Sequence, residues 1–219
     1  VLVVTDPGTS EVGRALYEAT AEVTDRILLM MMPPSHKRGM EPPSPVAELM
    51  RQQDVVLLAT ETSLTHTRAR RNATRENVRI ASMPGITQDI LSKGGMTADY
   101  GAMKKEISGL NPLLRKRTAV TVKTSAGTDL SFRTGARWVL EDSGICNRPG
   151  QITNLPAGKV FVLPKEGSAN GKIVIDGSWE GNLLEESLTL LVEDGMVVSI
   201  SGGELAAVSY THLRAHETR

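Results

Sequence analysis

VLVVTDPGTSEVGRALYEATAEV, residues 1–23, decides the fold. VLVVTD (1–6) is an apolar, β-branched run, and Ser10 then heads a stretch in which Val12, Leu16, Ala19 and Val23 recur at helical spacing. A strand therefore feeds a helix through the short loop DPGTSEVG (6–13). Two further apolar runs follow, RILLMMM (26–32) and DVVLLAT (54–60), with the helical stretch SPVAELMRQQ (44–53) between them. Runs without polar alternation are characteristic of parallel strands covered on both faces, so the rhythm is βαβ. NVRIASM (77–83) adds a fourth strand, TQDILSKGG (87–95) a short helix stopped by glycine, and TADYGAMKKEISGLNPLLRK (97–116) a longer one. The expected fold class is α/β, with residues 1–116 forming an open, mainly parallel sheet that carries helices on both faces.

From residue 117 the period changes. TAVTVKTS (118–125), TDLSFRTG (128–135), KVFVLP (159–164), GKIVIDGSW (171–179), LTLLVED (188–194) and GMVVSIS (195–201) read as short strands joined by Gly, Asn, Pro and Asp turns. The pair Asp194-Gly195 between two β-branched runs is the strongest hairpin signal in the chain. Residues 117–206 are expected to be the start of a β-rich second domain, incomplete at its end. Residues 207–219 are expected to be a foreign, disordered tail, because SYTHLRAHETR (209–219) resembles a translated sequencing adaptor. The chain opens at Val1 inside a strand, without an initiator Met or a signal-type pattern, so its true start is expected to be missing.

Composition narrows the function classes. Lys plus Arg and Asp plus Glu are both 25, so no global field draws the chain to nucleic acid or to an anionic membrane. Aromatics make up 3 %, which leaves few platforms for stacking bases. The apolar runs are far shorter than the ~20 residues of a membrane helix. The single cysteine, Cys146, fits a reducing compartment, and a cytoplasmic enzyme is expected.

Several residues carry a chemical and a structural reading side by side. The loop 6–13 could hold an anion at a helix start, but it matches neither a Walker loop nor GxGxxG, and a plain turn capped by Ser10 is favoured. RARRNATR (68–75) places Arg68, Arg71 and Arg75 on one helix face, either a nucleic-acid patch or, as favoured, a solvated face. His66 could act as a base for Ser63, three residues earlier, yet no acidic orienter is in view and capping by Ser63, Thr65 and Thr67 is the safer reading. Cys146 could be a nucleophile only beside a histidine. His212 and His216 have zinc-ligand spacing but lack the Glu of a zincin, and the disordered tail is favoured over a metal site. Glu141-Asp142 and Glu185-Glu186 are adjacent pairs that diverge in regular structure and read as surface charge.

ATETSLTHTRARRNATRENVRIASMPGITQDIL (59–91) and ITNLPAGKVFVLPKEGSANGKIVIDGS (152–178) resemble the thermophilic-type metallo-aminopeptidases, the aminopeptidase T and S group with its leucyl aminopeptidases. The same fold family includes an iron-dependent dihydroxypyridine dioxygenase branch. The resemblance runs in consistent order through 1–206. It implies a two-domain metalloenzyme, a hydrolase removing N-terminal amino acids from peptides, with a zinc or cobalt centre in the second domain and a homodimeric assembly. In the family, NLPAGEVF carries a glutamate that is the first metal ligand, and Lys159 stands at that position here. A carboxylate offers oxygen lone pairs to a cation, whereas an ammonium offers none and the wrong sign of charge. The substitution leaves three readings: a one-base sequencing error, a branch using one metal or iron, or a dead member. Glu166 is the carboxylate of that segment that could substitute, with Lys-Glu pairing to Lys159 or Lys165 an equally simple role, and Asn154 and Asn170 would shape the rim. The chain as it stands is expected to be an inactive part of a peptidase that takes a peptide or small-molecule substrate. The alternatives are a non-catalytic binding protein on the same fold and the iron-dependent ring-opening branch, whose metal set of two His and one Asp would lie downstream.

Overall fold

The computed structural model describes residues 1–35, 37, 39–179 and 182–203, with the backbone alone at 136–140. Its first half runs β1 (Leu2–Thr5), α1 (Ser10–Ala21), β2 (Leu28–Met31), α2 (Ser44–Arg51), β3 (Val55–Ala59), α3 (Arg68–Arg75), β4 (Arg79–Ser82), α4 (Gln88–Lys93) and α5 (Tyr100–Arg115). There follow β5 (Ala119–Lys123), β6 (Asp129–Asp142), β7 (Ile152–Asn154), β8 (Lys159–Pro164), β9 (Asn170–Ile175), β10 (Ser178–Trp179), β11 (Asn182–Leu183), β12 (Leu188–Glu193) and β13 (Met196–Ser201). Two compact units result: Val1–Gly109 with Glu141–Val160, and Leu110–Leu140 with Phe161 onward. The sequence places one boundary near 117, whereas in the structure the chain returns to the first unit after leaving it.

The first unit is built on a five-stranded sheet in the order β2-β1-β3-β4-β7, parallel throughout. Val3 in β1 pairs with Leu29 on one side and Leu57 on the other, so the longest apolar runs lie side by side. On one face Leu2, Val4, Val56, Leu58 and Ile80 pack with Val46 and Met50 of α2 and Ala73 of α3. On the other, Val12 and Leu16 of α1 and Leu91 of α4 meet Leu57, Ala59, Met83 and Ile86. Helices thus cover both faces, and removing these side chains from water drives the unit together.

Two features depart from the sequence reading. β2, expected to be covered on both faces, is an edge strand whose Leu28, Leu29 and Met31 are 51 %, 40 % and 55 % exposed. An apolar run reports suitability for a strand but not its rank in the sheet. β7 has no counterpart among the expected strands, and three residues are too few to show a period. Its pairing of Ile152 with Ile80 and Asn154 with Ser82 is set by the far side of the fold rather than by local pattern.

In the second unit β13, β12, β9, β6 and β5 form an antiparallel sheet, with β8 also paired to β6. Leu188 and Leu190 of β12 pack with Ile173, Ile175, Trp179, Leu184, Val197 and Ile200. The hairpin between β12 and β13 turns at Asp194 and Gly195, with φ of 47° and 81°. Both signs are those of a type I′ turn, whose twist matches the flanking strands. Among the described residues no helix is long and apolar enough to cross a membrane. The tail 207–219, with His212 and His216, lies outside the described residues.

Candidate functional site

Open α/β sheets receive ligands in the crevice outside the carboxyl ends of their strands, where the strand order reverses. Here β1 lies between β2 and β3, so the order reverses at β1 and β3. Asp6 follows β1 directly and is fully buried. Its carboxylate accepts from Thr9 N at 3.2 Å, from Thr9 Oγ1 at 2.8 Å and from Glu61 N at 2.8 Å. One side chain thereby ties the ends of β1 and β3 together and caps the 3-10 turn Pro7–Thr9. Ser10, the expected cap, instead donates its hydroxyl to the carbonyl of Pro7. Beside Gly8 the side chain of Glu61 occupies the space that an added Cβ would take. Two carboxylates of the protein itself, those of Asp6 and Glu61, stand at this turn, and their charge opposes an anion there.

Further along the same edge, three hydroxyl and amide groups meet. Thr65 Oγ1 lies 2.9 Å from Ser82 Oγ and 2.8 Å from Asn154 Oδ1. Thr65 comes from the loop after β3, Ser82 ends β4 and Asn154 ends β7, so the parallel register of β4 and β7 sets the cluster. Thr65 and Ser82 are buried, Asn154 half-buried. Neither Thr65 nor Ser82 was expected in a site beyond local capping, although a signal was present. Asp6, Thr60, Ser82 and Asn154 each put a polar group at the carboxyl end of an apolar strand, where a purely structural sheet would gain by staying apolar.

His66 is exposed beside this cluster. Among the described residues no hydrogen bond joins it to Ser63, whose Oγ accepts from Thr65 N at 3.2 Å. Thr67 caps α3 by accepting from Arg70 N, in keeping with the capping reading of this loop. Arg68, Arg71 and Arg75 are exposed, and Arg71 donates to the carbonyl of His66. Glu41 accepts from Arg68 N at 2.7 Å and Ala69 N at 3.0 Å, adding an anion to the start of α3. Burial pushes the Glu41 carboxyl up, but those two N–H groups and the Arg68 and Arg71 guanidiniums outweigh it and hold the carboxyl below its usual range. Burial, reinforced by Arg71, lowers Arg70, whose Nε donates to the carbonyl of Thr65.

Cys146 reads as structural. Its thiol lies 3.3 Å from the carbonyl of Gln151 and 3.6 Å from that of Ile80. Burial raises it, only partly offset by the Ile80 contact and by Arg79, which opposes a thiolate nucleophile.

Lys159 and Glu166, the two residues expected at a metal, are both exposed, and they belong to different units. Asn170, an expected rim residue, uses Oδ1 to accept from Asp194 N at 3.0 Å and so serves the β12–β13 hairpin. Among the described residues no group of three or more His, Cys, Asp or Glu side chains could hold a metal ion. The described residues do not fit a metal centre.

Comparison with known proteins decides the family. A family model described as 2,5-dihydroxypyridine 5,6-dioxygenase matches residues 16–219. The chain belongs to the 2,5-dihydroxypyridine 5,6-dioxygenase family. A curated 2,5-dihydroxypyridine 5,6-dioxygenase of Pseudomonas putida is 28 % identical over 107 residues, spanning 46 % of this chain and 30 % of that protein. The solved structure of the dioxygenase from the same organism superposes over 96 % of this chain and 65 % of its own, with a TM-score of 0.79 and 19 % identity. The chain thus spans under two thirds of the length of these relatives. AmpT from Thermus thermophilus superposes over 96 % of this chain and 68 % of its own with a TM-score of 0.59 and 16 % identity, which shows a shared fold.

Membership of this dioxygenase family overturns the expectation of a hydrolase and protease: the matched family is one of oxidoreductases. The two sequence motifs carry the fold common to both branches, and a fold does not choose the reaction. Zinc or cobalt, expected for the peptidase branch, loses its basis with that branch.

Proposed function

We propose that this member of the dioxygenase family serves oxidative ring opening of a dihydroxylated pyridine, in which both atoms of dioxygen enter the product as one ring carbon–carbon bond breaks. The observation that carries the reading is the family match across residues 16–219. The polar carboxyl edge of the first unit supports it, because a small, oxygen-bearing aromatic ligand needs hydrogen-bond partners at such an edge. Iron is the metal that the sequence resemblance implies for this branch. The described residues offer it no ligand set, so the role we assign to them is holding substrate.

The test is calorimetric titration of 2,5-dihydroxypyridine into the chain without oxygen, followed by oxygen-electrode assays with ferrous iron. Saturable binding without oxygen uptake is the expected result. Uptake of one dioxygen per pyridine would support the reaction and refute the assignment of metal ligation to residues outside those described. Absence of saturable binding would overturn the proposed function.

A further inference from the structure

β2 stands at one edge of the five-stranded sheet without the devices that usually keep sheet edges apart. Residues 27–32 hold no charge and no proline, and the register of β2 on β1 runs without a bulge. Leu28 N donates to the carbonyl of Val1 at 3.0 Å and Met32 N to that of Thr5 at 2.9 Å, so the even-numbered residues turn their backbone groups toward β1. Successive residues of a strand alternate. The N–H and C=O of Leu29 and Met31 therefore point away from β1, along the free edge. The side chains alternate across the sheet as well. Met30 packs against the core of Leu2, Val4 and Met50, while Leu29 and Met31 lie on the opposite face. A strand apolar on both faces suits a sheet interior, yet Leu28, Leu29 and Met31 are exposed here.

We infer that this edge is the seat of a second copy of the chain, whose own β2 pairs with it antiparallel about a two-fold axis through Met30, perpendicular to the sheet. The open backbone groups set the register. With Leu29 opposite Met31 of the second copy, those two residues exchange both N–H···O bonds, and the two-fold repeats the exchange between Met31 and Leu29 of the second copy. Met30 then faces its own counterpart across the axis. In the same register Leu28 falls opposite Met32 and Arg26 opposite Pro34, so apolar side chains meet apolar ones and no like charges are opposed. Pro33 has no N–H to give, which ends the ladder on either side. Any other strand would have to be apolar on both faces and open at the same spacing. A copy of β2 meets both conditions. Because the contact uses up the same edge in each copy, the assembly closes at two chains.

Sedimentation velocity up to about 100 μM, where even a weak interface is populated, tests the pairing. Wild type should pass from monomer to dimer, and amide exchange at Leu29 and Met31 should slow as concentration rises. Leu29→Glu and Met31→Lys each place a charge against an apolar partner and should weaken self-association about tenfold or more. An equimolar mixture of the two variants should dimerise again, because only the mixed pair sets the new carboxylate opposite the new ammonium. Amide exchange at Val3 and Val4 verifies that the sheet is intact in each variant. A wild type that stays monomeric would overturn the inference. So would a dimer that persists in Met31→Lys, which would place the contact on another surface, and a mixture that fails to associate would overturn the register.

Discussion

Replacing Asp6 by alanine should destabilise the first unit by about 1–3 kcal/mol. The side chain is fully buried, so water cannot enter to replace it without opening the loop. Its removal strands the N–H of Glu61, deprived of an acceptor now at 2.8 Å, and leaves the N–H of Thr9 only the backbone carbonyl of residue 6 at 3.2 Å. A buried donor left without a partner costs about 1–3 kcal/mol. Glu61 is exposed enough for water to recover part of its loss, and Thr9 Oγ1 retains the carbonyl of Ala59 within reach, which together set the lower end of the range. Asp6→Asn is the sharper variant, because it keeps shape and volume. One end of the amide must then turn its own N–H toward either Thr9 N or Glu61 N, so a good acceptor becomes a donor facing a donor. Hydrogen exchange at the amides of Val3 and Val4 reports on this unit alone, free of the second. An exchange free energy within 0.5 kcal/mol of wild type, about the scatter of a neutral surface change, in both variants would refute the clamp.

The Glu41 carboxyl is held low, so its contribution to stability is present above the ordinary carboxyl value of 4.5 and is lost as pH falls through the folded value. Wild type should therefore exceed Glu41→Gln in urea midpoint at neutral pH, with the gap closing under acid; the side chain is 37 % exposed, which keeps the effect below about 1 kcal/mol. Gly171 has φ of +127° and a Cβ there would lie 2.1 Å from the carbonyl oxygen of Asp129, so Gly171→Ala should disrupt the β6–β9 pairing, visible as faster amide exchange at Leu130 and Lys172. Cys146, raised by burial, should react with an aromatic disulfide reagent at neutral pH much more slowly in the folded chain than in the urea-unfolded chain; equal rates would show the thiol to be open.

How far the sequence could be read depended on whether a signal was local. β8 and the β12–β13 hairpin stand where alternation and the Asp194-Gly195 pair put them, because a turn and its flanking strands are neighbours in the chain. β1, β3 and β4 were legible for a related reason, since burial on both faces leaves continuous apolar runs. The exposed edge position of β2 and the return of β7 were not legible, because each depends on which strand lies next door. The same limit applies to the site. Asp6 clamps a residue 55 positions away, and Thr65 meets Asn154 across 89, separations that no spacing rule spans. Lys159 and Glu166 were singled out by family resemblance within one motif, and that motif describes a fold shared by two chemistries.

The return of β7 to the first sheet also bears on biosynthesis. A ribosome that has released residues 1–116 has delivered four of the five parallel strands, but β4 then has an open edge and Ser82 and Thr65 have no Asn154 to meet. The β5 and β6 segments must emerge first, and only afterwards does the three-residue strand Ile152–Asn154 arrive to close that edge. The last strand of the unit to be synthesised thus brings Asn154, the partner that Thr65 lacks until then. A nascent chain halted before Asn154 would hold most of a core and an open β4 edge, so the closing of that edge would mark the moment at which translation completes this sheet.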